Sequence, residues 1–124
     1  MVTVDIPVSL DVKITEAADG RRMIRLDGEL DMATAPQATL ALDWALTTPG
    51  ITEVVVDLTG LDFLDAIGIT VFVNAYRLAR RRERTLRACG ARGEVEMVLR
   101  VTEVADLLGL PQIPADLAAM EELT

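Results

Sequence analysis

The sequence predicts an α/β domain built on a mixed sheet of four or five strands, with helices mainly on one face. An alternating hairpin opens the chain, a continuous β-branched segment follows the first helix, and strand and helix patterns alternate from Ile51 onward. With 124 residues, of which 51% are apolar, the chain has the length of one domain and enough apolar side chains for a core. We therefore treat residues 1–124 as a single domain.

Two segments near the start form the predicted hairpin. Residues 10–16 (LDVKITE) and 21–26 (RRMIRL) alternate apolar and polar side chains, as expected for strands with one buried face. Asp19 and Gly20 lie between them, and an Asp-Gly pair favours a tight hairpin turn. The first two strands are therefore predicted to be antiparallel.

The first helix and the central strand follow. Thr34 and Pro36 fit an N-cap and a first helical turn, and the helix is expected to end near TTPG at residues 47–50. The side chains at helical spacing are Ala38, Leu42, Ala45 and Leu46. Residues 51–58 (ITEVVVDL) then suit a strand covered on both faces, with Val54 and Val56 buried.

The rest of the chain continues this alternation. A second helix is predicted from about Ala66 to Arg82, and a short strand over residues 85–89. Residues 92–108 suit a third helix, broken or ended near Gly109, and residues 115–124 a last short helix.

The residue types present in the chain exclude several functions. The chain has no histidine and one cysteine, so neither an internal disulfide nor a Ser-His or Cys-His nucleophile pair is available, and a zinc site is not expected. No paired general acid and base is evident, so we expect no enzyme, cofactor or metal. No window reaches eighteen consecutive apolar residues, and the acidic start of the chain does not suit a signal peptide. We expect a soluble, cytoplasmic protein without membrane insertion.

Charge is distributed unevenly along the chain. The net charge of −8 and the 3% aromatic content argue against nucleic-acid binding. Seven of the twelve basic residues nevertheless lie between residues 77 and 92. These are Arg77, Arg80, Arg81, Arg82, Arg84, Arg87 and Arg92. The first interpretation of this cluster is a solvated helix end whose cations complement the helix dipole. The alternative is a patch that binds an acidic partner or a phosphate.

Two phosphate-related motifs do not fit. Asp57 ends a predicted strand, as in a phospho-acceptor receiver domain, but the only lysine is Lys13 inside the first strand. No Gly-Lys-Ser/Thr sequence follows any strand, which excludes a P-loop. Gly60 and Gly68 are better explained by turn geometry and by close approach of the helix to the sheet.

The second helix is apolar on two sides. Asp65 stands where its N-cap should be. One predicted stripe, facing the sheet, contains Ile67, Val71, Ala75 and Leu78, and the opposite stripe contains Ala66, Ile69, Val73 and Tyr76. Either other elements cover the second stripe, or it binds a protein partner.

Three segments together resemble a known family. The stretches DGELDMATAP (27–36), VVVDLTGLDFLDAIGITVF (54–72) and VLRVTEVADLLGL (98–110) are similar, in this order and spacing, to those of the STAS domain. The resemblance covers about Leu10 to Leu123. It implies a stand-alone antagonist that binds an anti-sigma factor with a serine-kinase fold and so releases a sigma factor.

The resemblance also implies a phosphorylation switch that is missing here. In the family, a serine after the aspartate that corresponds to Asp65 is phosphorylated to prevent binding, and Ala66 stands in its place. Ala66 therefore implies a chain fixed in the binding-competent form. Ser9, the only serine, is far from this motif, and Thr70, one turn after Ala66, is an alternative hydroxyl.

The same resemblance indicates the partner-binding residues. Asp31 and Asp65 match the family's acidic pair. Ile67, Gly68, Ile69 and Thr70 match the partner-facing start of the helix, and the second stripe adds Val73. Loop-capping carboxylates and ordinary helix packing are the alternative interpretation. A scaffold or accessory subunit of a stress-signalling assembly or lipid transporter also fits the loss of the serine, and a homodimer stays open.

Overall fold

In the computed structural model of the chain, which describes residues 9–16 and 19–110, five strands form one mixed sheet and four helices pack with it. The strands are β1 (Leu10–Glu16), β2 (Arg21–Leu30), β3 (Glu53–Asp57), β4 (Leu61–Leu64) and β5 (Thr85–Cys89). The helices are α1 (Ala35–Thr47), α2 (Ala66–Arg81), α3 (Gly93–Val101) and α4 (Val104–Leu107). The predicted α/β class and the mixed sheet are confirmed.

Strand β2 joins the sheet together. It pairs antiparallel with β1, as the hairpin pattern predicts, and parallel with both β3 and β4. β4 pairs with residues 28–30 at the end of β2, and the register of this pairing shifts between Gly28 and Glu29. Gly28 has a φ of 115°, and a Cβ there would lie 2.2 Å from the Ser9 carbonyl oxygen, so only glycine fits.

The two faces of the sheet differ in polarity. On the inner face, Ile24, Val54 and Val56 are fully buried against the helices, whereas Val55 on the outer face is only half-buried. The ion pairs of the outer face are Arg21–Glu53, Arg87–Glu53, Arg25–Asp27 and Arg25–Asp57. The prediction that β3 is covered on both faces was therefore wrong, because charged neighbours occupy its second side.

Helix α1 begins and ends on polar contacts. Thr34 and Pro36 occupy the predicted first positions, although the Thr34 hydroxyl donates to the Glu29 carbonyl oxygen instead of capping. At the other end, Arg84 donates to the Thr48 carbonyl oxygen at 2.6 Å and Arg22 donates to the Thr48 hydroxyl at 3.0 Å. Since α1 has no basic residue in its own last turn, these two arginines supply the positive charge that a helix C-terminus favours.

The two apolar stripes of α2 follow the prediction only in part, since Val71 and Ala75 are buried as expected whereas Leu78 is half-buried. The buried side of the helix consists of Gly68, Val71, Phe72, Ala75 and Ala79. Ile67, expected to face the sheet, is exposed. Of the opposite stripe, Ile69, Val73 and Tyr76 are half-buried against the core, and α2 contacts α1, α4 and β5 as well as β4.

Two further elements differ from expectation. The short strand β4 was not predicted, because it is only four residues long and directly precedes a helix. The predicted third helix breaks at Glu103, whose φ is 65°, and so becomes α3 and α4. A left-handed conformation at a glutamate has no sequence signal of the kind that glycine provides. The predicted last helix, 115–124, lies outside the described residues.

Candidate functional site

The turn between β4 and α2 is fixed by Asp65. Its carboxylate accepts a hydrogen bond from the Gly68 amide at 3.0 Å, which confirms the predicted N-cap. The Asp65 amide donates to the Leu30 carbonyl oxygen at 3.3 Å and ties the turn to the end of β2. The first turn of α2 is thus held at both its side chain and its backbone.

Close packing at Gly68 determines which side chains of this turn face outward. A Cβ on Gly68 would lie 2.3 Å from Leu64 Cδ1 and 3.0 Å from the Leu30 carbonyl oxygen, so the helix rests directly on the ends of β2 and β4. This confirms the predicted close approach of helix and sheet. Ala66 and Ile67 lie on the outer side of the same turn and are exposed.

The loop after β2 runs beside this turn. Leu30 and Leu64 are register partners in the parallel pair β2 and β4, so Asp31 and Asp65 follow from neighbouring strand ends. Asp31 Oδ1 accepts from the Ala33 amide at 2.9 Å and the Thr34 amide at 3.1 Å. The structure therefore brings the predicted acidic pair to one edge, where each carboxylate caps its own turn.

An apolar groove of about 600 Å³ runs between α1 and α2 beside this edge. Its lining comprises Met32, Ala35, Pro36, Thr39, Leu40, Ile67, Thr70, Val71 and Asn74. Three of its large side chains are strongly exposed: Met32 by 75%, Leu40 by 71% and Ile67 by 44%. We call these three side chains, together with Asp31, Asp65, Ala66 and Thr70, the docking surface.

The predicted site residues divide into two groups. Ile67 and Thr70 line the groove, and Asp31, Asp65 and Ala66 lie at the strand ends beside it. The others do not line it: Gly68 is buried, and Ile69 and Val73 pack against the core.

Of the nine residues that line the groove, sequence reasoning predicted only Ile67 and Thr70 as site residues, and the exposed large apolar side chains among those it missed are Met32 and Leu40. Leu40 lies outside the buried spacing of α1, and Met32 lies in a polar loop. The sequence feature that could have identified them is a large apolar side chain at a position where a polar one is expected.

The loop between β3 and β4 is fixed by charged and polar contacts. The Thr59 hydroxyl donates to Asp57 Oδ1 at 2.6 Å, and this bond lowers the pKa of Asp57 below its ordinary value, with the Thr59 amide and Arg25 acting in the same direction against burial. Arg92 donates to the Thr59 carbonyl oxygen at 2.8 Å and pairs with Asp62. The chain between Asp57 and β4 is therefore anchored on both sides.

No group of three or more Cys, Asp or Glu residues that could hold a metal ion occurs within residues 9–16 and 19–110. In the same part of the chain, no helix has the length and apolar character needed to cross a membrane.

The STAS domain family model matches residues 10–119. The chain belongs to the STAS domain family. Among curated relatives of this STAS domain, the anti-sigma-B factor antagonist of Listeria monocytogenes is 26% identical over 110 residues, which are 89% of this chain and 96% of the relative. The resemblance inferred from the three segments is thereby confirmed.

Solved structures show the same fold. An anti-sigma factor antagonist from Mycobacterium paratuberculosis aligns with a TM-score of 0.74 and 24% identity, covering 94% of this STAS domain and 97% of that chain. The anti-sigma factor antagonist SpoIIAA in its unphosphorylated form aligns with a TM-score of 0.70 and 16% identity, covering 88% and 93%.

Proposed function

We propose that this STAS domain is a cytoplasmic anti-sigma factor antagonist, which binds an anti-sigma factor of serine-kinase fold and so frees a sigma factor. The names of its relatives support the general role. The observation that carries the proposal is the docking surface, where an acid-capped helix start adjoins an apolar groove with three exposed large side chains. Single exposed apolar residues are ordinary, but a contiguous group of them beside polar residues marks an interaction surface.

Ala66 removes control by phosphorylation from the proposed activity. It is the first residue of α2, is exposed, and directly follows the capping Asp65. A phosphate at this position would add about −1.5 to −2 charge beside that carboxylate and weaken an interface formed there. An alanine cannot accept phosphate, so the chain stays in the binding form.

Within this proposal, the site residues have two roles. Asp31, Asp65, Ala66, Ile67 and Thr70 contact the partner. Gly68, Ile69 and Val73 hold the helix from the inside, because they are buried or half-buried. Val73→Asp, which the sequence alone suggests as a probe of binding, would therefore also disturb the core.

Exposed groove residues give a cleaner binding test. Each serine-kinase-fold anti-sigma factor encoded in the source genome is titrated into the purified chain by calorimetry, and one of them should bind. Met32→Asp and Leu40→Asp should each weaken that binding at least about tenfold, because a charge enters a desolvated interface. Met97→Asp is the matched control, since Met97 is 58% exposed on α3 and does not line the groove. If none of these factors binds, the proposed function is wrong.

A second experiment tests the missing switch. With the bound anti-sigma factor and ATP, the wild-type mass should stay unchanged, while Ala66→Ser should gain one phosphate at residue 66 and then bind more weakly. Phosphate on wild-type Thr70, whose hydroxyl donates to the Ala66 carbonyl oxygen at 3.1 Å, would show a moved switch and not a lost one. A serine variant that stays unmodified, together with isolation of the chain in a large homo-assembly or with a permease, would favour the scaffold role.

A further inference from the structure

The arginines of the chain fall into two classes. Six of them form ion pairs with carboxylates: Arg21, Arg22, Arg25, Arg87, Arg92 and Arg100. Among the described residues, five others have no carboxylate within ion-pair distance: Arg77, Arg80, Arg81, Arg82 and Arg84. All five lie at the C-terminal end of α2 or in the turn that follows it. In a chain of net charge −8, these five arginines therefore form a local group of positive charges that is available to an external anion.

Two of these five arginines line one cavity. Its volume is about 210 Å³, and it lies between α2, the start of β5 and the end of α4. Arg80 and Arg84 share its wall with Tyr76, Thr85 and Leu107. The other three unpaired arginines do not line it.

Both guanidinium groups are oriented by neutral acceptors. Arg80 donates to the Tyr76 hydroxyl at 3.1 Å and lies 5.8 Å from the centre of its ring. Arg84 donates to the Thr48 carbonyl oxygen at 2.6 Å. Neither acceptor is a carboxylate, and an arginine has five N–H donors, so each group keeps donors for a ligand. These bonds reduce the cost of ordering the two side chains when an anion binds.

We propose that this cavity binds the phosphate group of a small phosphorylated molecule. Arg80 and Arg84 both line this cavity, and arginine binds the oxygens of a phosphate in a bidentate manner. The cavity is smaller than the roughly 300 Å³ at which pockets for drug-sized ligands begin, so it holds the phosphate group and leaves the rest of the ligand outside. Arg80 lies about 21 Å along the helix axis from Ala66, which separates this site from the docking surface.

Inorganic pyrophosphate is the probe for the test. It is titrated at constant ionic strength while amide and arginine side-chain signals are followed by NMR. We expect saturable shifts around Thr85 and Arg80 with a dissociation constant below about 1 mM. Arg80→Gln should weaken binding at least about tenfold, and Arg84→Gln should act similarly unless loss of its bond to Thr48 loosens α1. Arg80→Gln decides the test, because the contacts of Arg80 described above remain within its own helix.

Arg77→Gln is the matched control. It removes the same charge from the same helix outside the cavity and should leave pyrophosphate binding unchanged. If Arg77→Gln weakens binding as much as Arg80→Gln, or if no saturable shift occurs, the attraction is diffuse and the proposal is overturned. A nucleoside triphosphate that binds more tightly than pyrophosphate identifies a soluble ligand. Sedimentation with phosphatidic acid vesicles that depends on Arg80 identifies a lipid headgroup.

Discussion

The two ends of α2 are built by different forces. At its N-terminal end, the Asp65 cap and the absence of a side chain at Gly68 fix the helix against Leu30 and Leu64. At its C-terminal end, Arg80 and Arg81 stand in the last turn, and Arg81 has no carboxylate partner among the described residues. The N-terminal end is thus held by close contacts, whereas the C-terminal end carries arginines without carboxylate partners.

This difference separates stability from binding along a single helix. Tightly packed positions resist substitution whatever their function, whereas exposed cations change stability little. We therefore expect substitutions at the N-terminal end to lower the free energy of unfolding, and substitutions of exposed arginines at the C-terminal end to change it little.

The largest expected effect is at Gly68. Gly68→Val places branched carbons against Leu64 and the Leu30 carbonyl oxygen, and we expect it to lower the free energy of unfolding by about 2 to 3 kcal/mol in urea denaturation. Asn74→Val is the control, because it introduces the same side chain at an exposed position of the same helix. Equal losses at both positions would contradict the packing explanation.

Removal of the cap should cost less. Asp65→Ala deletes the acceptor of the Gly68 amide, and we expect a loss of about 1 kcal/mol. Asp65→Asn keeps a good capping group and removes the charge, so its stability should stay near wild type. If the asparagine variant is as unstable as the alanine variant, the charge matters more than the hydrogen bond.

The C-terminal end should tolerate substitution. Arg81→Gln removes an exposed charge that forms no ion pair in the described residues, and the unfolding free energy should change by less than about 0.5 kcal/mol. Thermal and urea unfolding measure this directly. A loss above about 1 kcal/mol would mean that the basic end is also structural.

The smallest expected effect is on the pH dependence of the unfolding free energy, through Asp57. The pKa of Asp57 is lowered in the folded chain, so the carboxylate stabilises the fold above its unfolded pKa of about 4, and this contribution is lost as the pH falls through the lower folded value. Asp57 anchors the segment that leads to β4 and Asp65, whereas arginine does not titrate in this range. Asp57→Asn should flatten the stability profile below about pH 4 by a few tenths of a kcal/mol, because the site is partly solvated. An unchanged acid profile would contradict this role.

Local patterns predicted the parts of the fold that depend on short-range chemistry. The Asp-Gly hairpin, the cap at Asp65 and the approach of the helix at Gly68 each follow from the residues concerned. Local patterns did not predict which residues of α2 are exposed, because their exposure depends on how the other elements pack against this helix. A helix that is apolar on two sides can be covered on both, and periodicity alone cannot distinguish the alternatives.

The candidate site was predicted in the same uneven way. Asp31 and Asp65 were placed together through resemblance, and the register of β2 and β4 accounts for their proximity. Met32 and Leu40 were missed because a groove between two helices exists only after those helices pack. The cavity at Arg80 likewise requires the end of α4, far along the chain.

The sharing of β2 among three strands has a kinetic consequence. Its pairing with β1 closes a short hairpin, which can form within microseconds, whereas its pairings with β3 and β4 join residues about thirty positions apart, such as Ile24 with Val56. We expect these parallel pairings to limit the rate of folding. In stopped-flow refolding, Leu26→Ala within β2 should slow folding, while Leu108→Ala after α4 should mainly accelerate unfolding.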